Sequence, residues 1–303
     1  MKQLDGKTKT IDVVILVSLE YSLNRHPDDL ALQATLIARG YTVKIVAWDN
    51  RSYDFSQVKL AIIRSCWDYD ERLEEFLIAM AKIEEKCILL NSWEMIRGNS
   101  NKYYLQDLKA KGIPIVPTVF IKDSGQILSA LNNFTTEQVV VKPVISASGR
   151  NTYRFHRTER ELISEKVEEL LKFKDVMIQP YLNTIESKGE KSTVVIDGQI
   201  VYTMLKKPAA GNFLVHTHRG GKYVKDQADI KDQSFIRQVL NALPELPLYL
   251  RIDYLFDSAG NPLLLELELI EPNLYLAVNE LGLQLLTERL TAMLRLNTSL
   301  HTR

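Results

Sequence analysis

Near its C-terminus the chain reads LLLELELIEP, residues 263–272, an apolar run that carries carboxylates at Glu266, Glu268 and Glu271. In a strand successive side chains alternate faces, so Leu263, Leu265, Leu267 and Leu269 are expected on one side and Glu266 and Glu268 on the other. The preceding segment, YLRIDYLFDSAGNP, predicts the outgoing strand of a hairpin that turns near Gly260. That turn brings Asp253 close to Glu266, on the face that also holds Glu268. Like charges crowded on one patch of sheet repel, a bound cation relieves the repulsion, and oxygen-only ligands suit Mg²⁺. The same alternation also fits an ordinary solvent-facing sheet surface.

Basic side chains elsewhere point to an anionic ligand. Lys142 lies in VVVKP, where β-branched neighbours predict burial, and a buried ammonium is costly without an anion such as phosphate. The loop after it, SASGR, has small residues whose backbone N–H groups can approach phosphate oxygens, although it matches neither the P-loop nor the dinucleotide fingerprint. Lys206 and Lys207 add positive charge at a strand end, a place where a lysine pair is also simply solvated. In RSCWDY, the residues Arg64, Ser65, Trp67, Asp68 and Tyr69 fall at the end of a predicted strand, where open α/β sheets bind ligands. They are candidates for holding the amino-acid-like end of a substrate; the competing reading packs Trp67 and Tyr69 in a domain interface. Cys66 and Cys87 read as small apolar fillers.

The elements that must position these groups alternate in kind. VVILVS is a buried-strand run, followed by a helix with Leu30, Ala34, Leu36 and Ile37 ending at Gly40, then strands at YTVKIVAWDN and KLAIIRSC. Residues 70–86 have a helical stripe of Leu73, Phe76, Leu77, Met80 and Ile83, and CILLNS returns as a strand, which completes a doubly wound layer. Beyond it, NKYYLQDLKAK is a helix closed by Gly112, and IPIVPTVFI is extended. QVVVKPVISASGRNTYRF is a strand, loop and strand; TERELISEKVEELLKF is a helix opened by a Thr158–Glu161 capping box. KSTVVIDGQIVYTMLKK is a hairpin turning at Asp197 and Gly198, and a last helix covers about 280–296. MKQLDGKTKT reads as a loose tail.

Composition excludes several classes. With 303 residues the chain exceeds ordinary single-domain size. Lys plus Arg and Asp plus Glu both number 38, which argues against a general nucleic-acid binder. Two cysteines cannot form a disulfide framework, the N-terminus lacks a signal-peptide layout, and no apolar run approaches the roughly 20 residues of a membrane span. A soluble, cytoplasmic protein with no membrane or nucleic-acid partner is expected.

Taken in order, NK with its helix and GIPIVPT, VVVKP, MIQPYL, GEKS, the RID strand and ELE before IEP resemble the ATP-grasp superfamily over nearly the whole chain. The sequence is most similar to the glutathione-synthetase-like branch, whose prokaryotic relatives include the cycloserine-forming ligase. The resemblance implies an α/β fold with an α+β C-terminal part: a Rossmann-like domain over residues 1–98, then an ATP-grasp domain over 99–303. Within the latter it implies a mobile lid subdomain at about 113–178 and a metal- and nucleotide-binding subdomain at about 179–303. It further implies that Lys102 and Lys142 contact ATP, that Ser146, Ser148 and Gly149 close over its phosphates, and that Gln179, Pro180, Tyr181 and Leu182 form the hinge beside adenine. Glu190, or alternatively Glu186, would bind the ribose, and Asp253, Glu266 and Glu268 would hold two Mg²⁺ ions. Arg251 would stabilise the transferring phosphoryl group, its alternative being a salt-bridge partner of the acids; Lys206 and Arg219 would assist. His216 and His218 resemble a substrate-side loop, with Gly220 and Gly221 permitting the turn; a metal role for His-x-His lacks a third ligand nearby in sequence.

The implied chemistry is ATP-dependent activation of a small amino-acid-like carboxylate as an acyl phosphate, then attack by an amine or related nucleophile. Catalysis of this kind rests on charge neutralisation and exclusion of water. The alternatives are a catalytically silent ATP-binding module and a kinase that phosphorylates a non-carboxylate acceptor. Glutathione and D-alanine ligases typically place asparagine where this chain has Glu268, and GEKS replaces a pattern ending in arginine, which counts against glutathione chemistry itself. Dimers are common among relatives, so a homodimer is among the expected states.

Overall fold

The computed structural model describes residues 10–300, apart from the side chains of His218 and residues 297–300, so the N-terminal tail expected at MKQLDGKTKT lies almost wholly outside the described residues. The chain divides into two compact units: one runs to Arg97 and takes in Pro247–Tyr249 and the chain from Leu269 onward, the other is Gly98–Leu246 with Leu250–Glu268. The C-terminal segment, which the domain boundaries expected from sequence assign to the second domain, thus groups with the first unit.

The first unit is built on strands β1 (Ile11–Val17), β2 (Val43–Ala47), β3 (Val58–Ile63) and β4 (Ile88–Leu90), in the order β2-β1-β3-β4. All three pairings are parallel, and β1 is buried on both faces from Val13 to Val17, which is why that run is continuously apolar rather than alternating. Helices α1 (Leu19–Leu23) and α2 (Pro27–Ala38) connect β1 to β2, and α3 (Leu73–Glu84) connects β3 to β4. In α3 three residues of the expected stripe, Phe76, Met80 and Ile83, are buried, while Leu73 and Leu77 are half-buried. In α2, however, Leu32 and Leu36 are buried while Leu30 and Ile37 are exposed, a narrower face than the sequence suggested. Asn91, 2 % exposed, ties the later segments into this unit. Its Nδ2 donates to the carbonyls of Tyr249 (2.9 Å) and Leu269 (2.7 Å), and its Oδ1 accepts from Leu248 N–H (2.8 Å).

The second unit opens with α4 (Trp93–Asn99, which begins in the first) and α5 (Tyr104–Ala110), then has two sheets, of four and five strands. The first sheet comprises β5 (Val119–Ile121), β6 (Gln138–Pro143), β7 (Tyr153–His156) and β8 (Val176–Pro180), ordered β5-β8-β6-β7. Helices α6 (Ile127–Asn132) and α7 (Arg160–Leu171) cover it through a core containing Ile127, Leu131, Val139, Val141, Ile163 and Val167. The expected Thr158–Glu161 capping box does not form: α7 starts at Arg160, with Glu159 at its N-cap and no side-chain cap, and Thr158 Oγ1 bonds His156 Nδ1 instead. After the short α8 (Thr184–Ser187) comes the second sheet. Its strands β9 (Glu190–Ile196), β10 (Gln199–Lys207), β11 (Lys222–Asp226), β12 (Tyr249–Phe256) and β13 (Pro262–Glu268) are ordered β11-β10-β9-β12-β13.

The hairpin of β9 and β10 turns at Asp197 and Gly198, both at positive φ (50° and 74°), the conformation of a primed turn. Helix α9 (Ile230–Ala242), which sequence reading passed over in a stretch assigned to strands, carries a true capping box from Asp229 to Asp232. Helix α10 (Glu280–Leu300) closes the chain and packs on α2 in the first unit.

The β12–β13 hairpin departs from simple alternation. Arg251 pairs with Glu268 and Asp253 with Glu266, but a bulge then shifts the register so that Tyr254 pairs with Leu264. The extra residue flips the strand's faces. Leu264 (0 % exposed) and Leu267 (3 %) are core, whereas Leu263 and Leu265 are half-buried and pack with Val116, Tyr181, Ile185, Val215 and Leu255. The expectation that the odd-numbered leucines share one face is therefore corrected: the bulge leaves Leu263 and Leu265 in the same half-buried state as Glu266 and Glu268.

Candidate active site

Sheet β11-β10-β9-β12-β13 gathers the acids onto cations. Arg251 donates from Nε to Asp253 Oδ1 (2.8 Å), from Nη2 to Asp253 Oδ2 (2.7 Å) and from Nη2 to Glu268 Oε1. Asp253 also accepts from the Ser192 hydroxyl (2.6 Å), with Lys206 Nζ 3.6 Å away. Lys206 pairs with Glu190 at 3.0 Å, since the two are direct partners across β9 and β10. Glu266 pairs with Lys102 at 2.9 Å, and Lys102 donates in addition to the carbonyl of Ser146 (2.8 Å). The register predicted Asp253 beside Glu266; only the fold shows that Arg251 is shared by Asp253 and Glu268 while Lys102 holds Glu266.

Burial sets the electrostatics. It would raise Asp253, but Arg251 and Lys206 hold that carboxyl well below the usual range. Burial likewise opposes ionisation of Glu266, and Lys102 and Lys142 overcome it. Burial pushes Glu268 up to about 8, against the pull of Arg251 and reinforced by the charges of Asp253 and Glu266. Glu190 is raised by burial despite Lys206. Lys142 is buried as its sequence context predicts and is pushed down to about 8, chiefly by desolvation.

Among the described residues no three His, Cys, Asp or Glu side chains stand ready to hold a metal; Asp253 is paired with Arg251 and Lys206, Glu268 with Arg251 and Glu266 with Lys102. The donor set nonetheless fits a hard cation: all the anionic atoms are carboxylate oxygens, and their present partners are positive charges that a Mg²⁺–phosphate group could replace.

The loop between β6 and β7 has Ser148, Gly149 and Asn151 at positive φ (53°, 66° and 54°), a sharply turned path. A Cβ on Gly149 would come within 2.8 Å of the His216 ring, so the 146–150 loop and the loop bearing His216 are in contact. Gly221, where a Cβ would lie 1.8 Å from the Val215 carbonyl oxygen, makes the tight return of that second loop. Arg219 on it is exposed, and the side chain of His218 lies outside the described set. In the segment expected as the hinge, Gln179 Nε2 donates to Thr118 Oγ1 (2.9 Å) and the Tyr181 hydroxyl donates to Glu186 (3.0 Å). Arg154, which sequence reading did not single out, stands over the rings of Tyr181 (4.8 Å) and Phe213 (5.2 Å). Glu190 therefore belongs to the Lys206–Asp253 cluster, whereas Glu186 is held by Tyr181.

In the first unit, RSCWDY is divided between roles. Asp68 accepts from Trp48 Nε1 (3.0 Å) and from Arg72, and Tyr69 is buried against Phe76. Trp67 Nε1 donates to the Glu271 carbonyl (2.9 Å), while Arg64 and Ser65 turn to Pro272 and Asp29. Cys66 is fully buried and Cys87 half-buried; burial raises both thiols, Cys87 to about 12, in keeping with inert fillers.

Two sheets, one bearing a small-residue loop and the other paired carboxylates and lysines, define the ATP-grasp arrangement. Residues 13–91 match the N-terminal domain of D-cycloserine synthetase DcsG, and residues 104–257 match the ATP-grasp domain of prokaryotic glutathione synthetase. The chain belongs to this prokaryotic glutathione-synthetase ATP-grasp family and is an ATP-grasp ligase. It is 28 % identical over 268 residues to the cycloserine biosynthesis protein DcsG of Streptomyces lavendulae, covering 83 % of this chain and 90 % of that protein. The glutathione synthetase of Mesorhizobium japonicum is 22 % identical, over 63 % of this chain and 60 % of its own length. The crystal structure of D-cycloserine synthetase DcsG superposes with a TM-score of 0.79 at 26 % identity, covering 92 % of this chain and 99 % of that one. D-alanyl-alanine synthetase A from Vibrio cholerae shares the fold, with a TM-score of 0.69 at 15 % identity over 94 % and 98 % of the two chains. Members of the family use ATP and Mg²⁺. Among the described residues no helix is long and apolar enough to cross a membrane.

Proposed function

We propose that the protein is an ATP-dependent carboxylate–amine ligase that activates a small amino-acid-like substrate as an acyl phosphate. The observation that carries this reading is the set of acids on β12 and β13, with Asp253 and Glu268 sharing Arg251 and Glu266 held by Lys102. An ATP γ-phosphate with two Mg²⁺ would exchange for those cations, the acids taking the metal and Arg251, Lys206, Lys102 and Lys142 turning to phosphate oxygens. When bound, the metal supplies neutralisation of the transferring phosphoryl charge. Ser146, Ser148 and Gly149 would cover the phosphates; Gln179 to Leu182 would flank adenine, with Glu186 or Glu190 on the ribose. Leu182, Phe213 and Leu265 are half-buried in one apolar cluster around Tyr181, a surface suited to a flat base. Arg219, His216 and His218 would act on the substrate side. DcsG and D-alanyl-alanine synthetase, by their names, make products from amino-acid-like compounds, which supports that substrate class here.

The test is product analysis with Mg²⁺, ATP and a panel of amino acids and amines. A ligase releases ADP and inorganic phosphate only when a carboxylate is present. Phosphate retained on the product would favour a kinase, and no turnover with intact nucleotide binding would favour a silent module; either result ends the ligase proposal.

A further inference from the structure

The two glutamates of β13 flank Leu267, and the backbone at Leu267 is held by side chains. β13 is the last strand of its sheet and pairs with β12 along its inner edge. On its outer edge Leu264 forms an ordinary backbone bridge: its N–H donates to the Pro114 carbonyl and Val116 N–H donates to its carbonyl, both 2.9 Å. At Leu267 that edge is met instead by Tyr104, whose hydroxyl accepts from Leu267 N–H (2.9 Å) and donates to the Leu267 carbonyl (3.1 Å). Asn99 Nδ2 donates to the same carbonyl (2.8 Å), so both of its lone pairs are used. The extra residue of the bulge, Leu265, sets these two outward-facing positions three residues apart rather than two.

One phenol thus substitutes for a neighbouring strand at the point between Glu266 and Glu268. The Leu267 N–H belongs to the peptide group that joins it to Glu266, and the Leu267 carbonyl to the peptide group that joins it to Glu268. Fixing both planes fixes the directions in which the two glutamate side chains leave the strand, on the face opposite the buried Leu267. Burial, reinforced by the charge of Glu266, raises the Tyr104 phenol well above its ordinary value, so it stays protonated and keeps donating. Tyr104 opens α5 two residues after Lys102, whose ammonium pairs with Glu266 at 2.9 Å. In the ligase reading Lys102 turns to phosphate and gives up that ion pair, whereas the bonds from Tyr104 to Leu267 involve no exchanged charge and persist.

We propose that Tyr104 is a positioning residue for the metal-binding acids: its hydroxyl sets the backbone between Glu266 and Glu268, and through it the separation at which the two carboxylates meet Mg²⁺. This role presupposes the reading of Glu266 and Glu268 as Mg²⁺ ligands and adds to it the group that holds them in place. Mg²⁺ demands near-ideal octahedral geometry, so a strand edge free to shift its pleat binds it less well.

The test is Tyr104→Phe, which keeps the ring and deletes the hydroxyl, studied in the full chain beside wild type. In the metal-free protein, residue-resolved hydrogen exchange should show the Leu267 amide exchanging about tenfold faster in the variant, while the Leu264 amide, held by Pro114, is unchanged. In Mg²⁺ titrations with a non-hydrolysable ATP analogue, the variant should need about tenfold more Mg²⁺ for half-saturation. Excess Mg²⁺ should then bring its affinity for the analogue to within about twofold of wild type, a separation that a general loss of stability would not produce. Should Tyr104→Phe fold poorly, Asn99→Ala, which removes the other bond to the Leu267 carbonyl, should shift the Mg²⁺ midpoint in the same direction. An unchanged Leu267 exchange rate, an unchanged Mg²⁺ midpoint, or a loss that is the same at every Mg²⁺ concentration overturns the proposal. Wild type controls for the underlying reading: Mg²⁺-dependent analogue binding that Tyr104→Phe leaves intact sinks the role of Tyr104 alone, whereas no such binding by wild type sinks the metal assignment with it.

Discussion

Replacing Glu268 by glutamine should strengthen the metal-free protein at high pH and weaken it once Mg²⁺ and nucleotide are present. Glu268 is raised from 4.5 to about 8 by burial and by its acidic neighbours, and its side chain is only 23 % accessible. A carboxyl raised in the fold contributes stability that is intact below its unfolded pKa and is lost as pH rises through the folded value. At about 1.4 kcal/mol per pH unit, the interval from 4.5 to 8 sets an upper bound of about 5 kcal/mol by pH 9. Glutamine avoids that cost but forfeits the charged hydrogen bond from Arg251, so a net gain of about 2–3 kcal/mol is expected at pH 9 and about none at pH 5. For a unit of this size that is a rise in Tm of about 4–12 °C at pH 9. The assay is melting in EDTA across that pH range, repeated with Mg²⁺ and a non-hydrolysable ATP analogue. In the second series wild type should gain more than the variant, and the variant's turnover should fall by about a hundredfold or more, as expected when one element of transition-state charge stabilisation is removed. A variant less stable than wild type at pH 9 without metal would show that the attraction to Arg251 outweighs burial and repulsion, and would refute the reasoning.

Gly149→Ala should raise KM for ATP by about tenfold or more while leaving global melting within a few degrees, because it combines a φ of +66° with a Cβ 2.8 Å from His216, in a loop away from either core. An unchanged KM would mean that the loop does not cover the nucleotide. Asn91→Ala removes three buried hydrogen bonds in the first unit and should cost about 3–5 kcal/mol in urea unfolding. A loss below about 1 kcal/mol would remove Asn91 as an anchor of the C-terminal segment. Both cysteines should resist iodoacetamide in the native protein at pH 8 and react after denaturation, since burial keeps both as thiols; rapid native labelling of Cys66 would contradict its burial.

The parts legible in the sequence were those governed by neighbours along the chain. The continuous apolar run of β1, the stripe of α3 and the Asp197–Gly198 turn are local consequences of period and of tolerance for positive φ, and each was read correctly. The nearness of Asp253 and Glu266 was legible too, because the hairpin is short, but their direct pairing was not: the register set at the turn by Phe256 and Pro262 would put Leu265 opposite Asp253, and the bulge brings Glu266 there. Lys142 was marked as buried by the valines beside it.

Tertiary structure decided the rest, wherever an outcome depended on partners distant in sequence. The bulge after Asp253 that exchanges the faces of the β13 leucines is set by how β12 and β13 pack, not by either strand's pattern. Lys102 reaches Glu266, and Arg64 meets Asp29, across chain separations that no periodicity encodes. The Thr158–Glu161 box lost to a competing hydroxyl–imidazole bond, and the segment after Leu269 joined the first unit because Asn91 binds its carbonyl. Residue type by itself determined which charges the protein carries; which charges neutralise one another, and which buried atoms are left without a partner, follows only from the packing that excludes water from them.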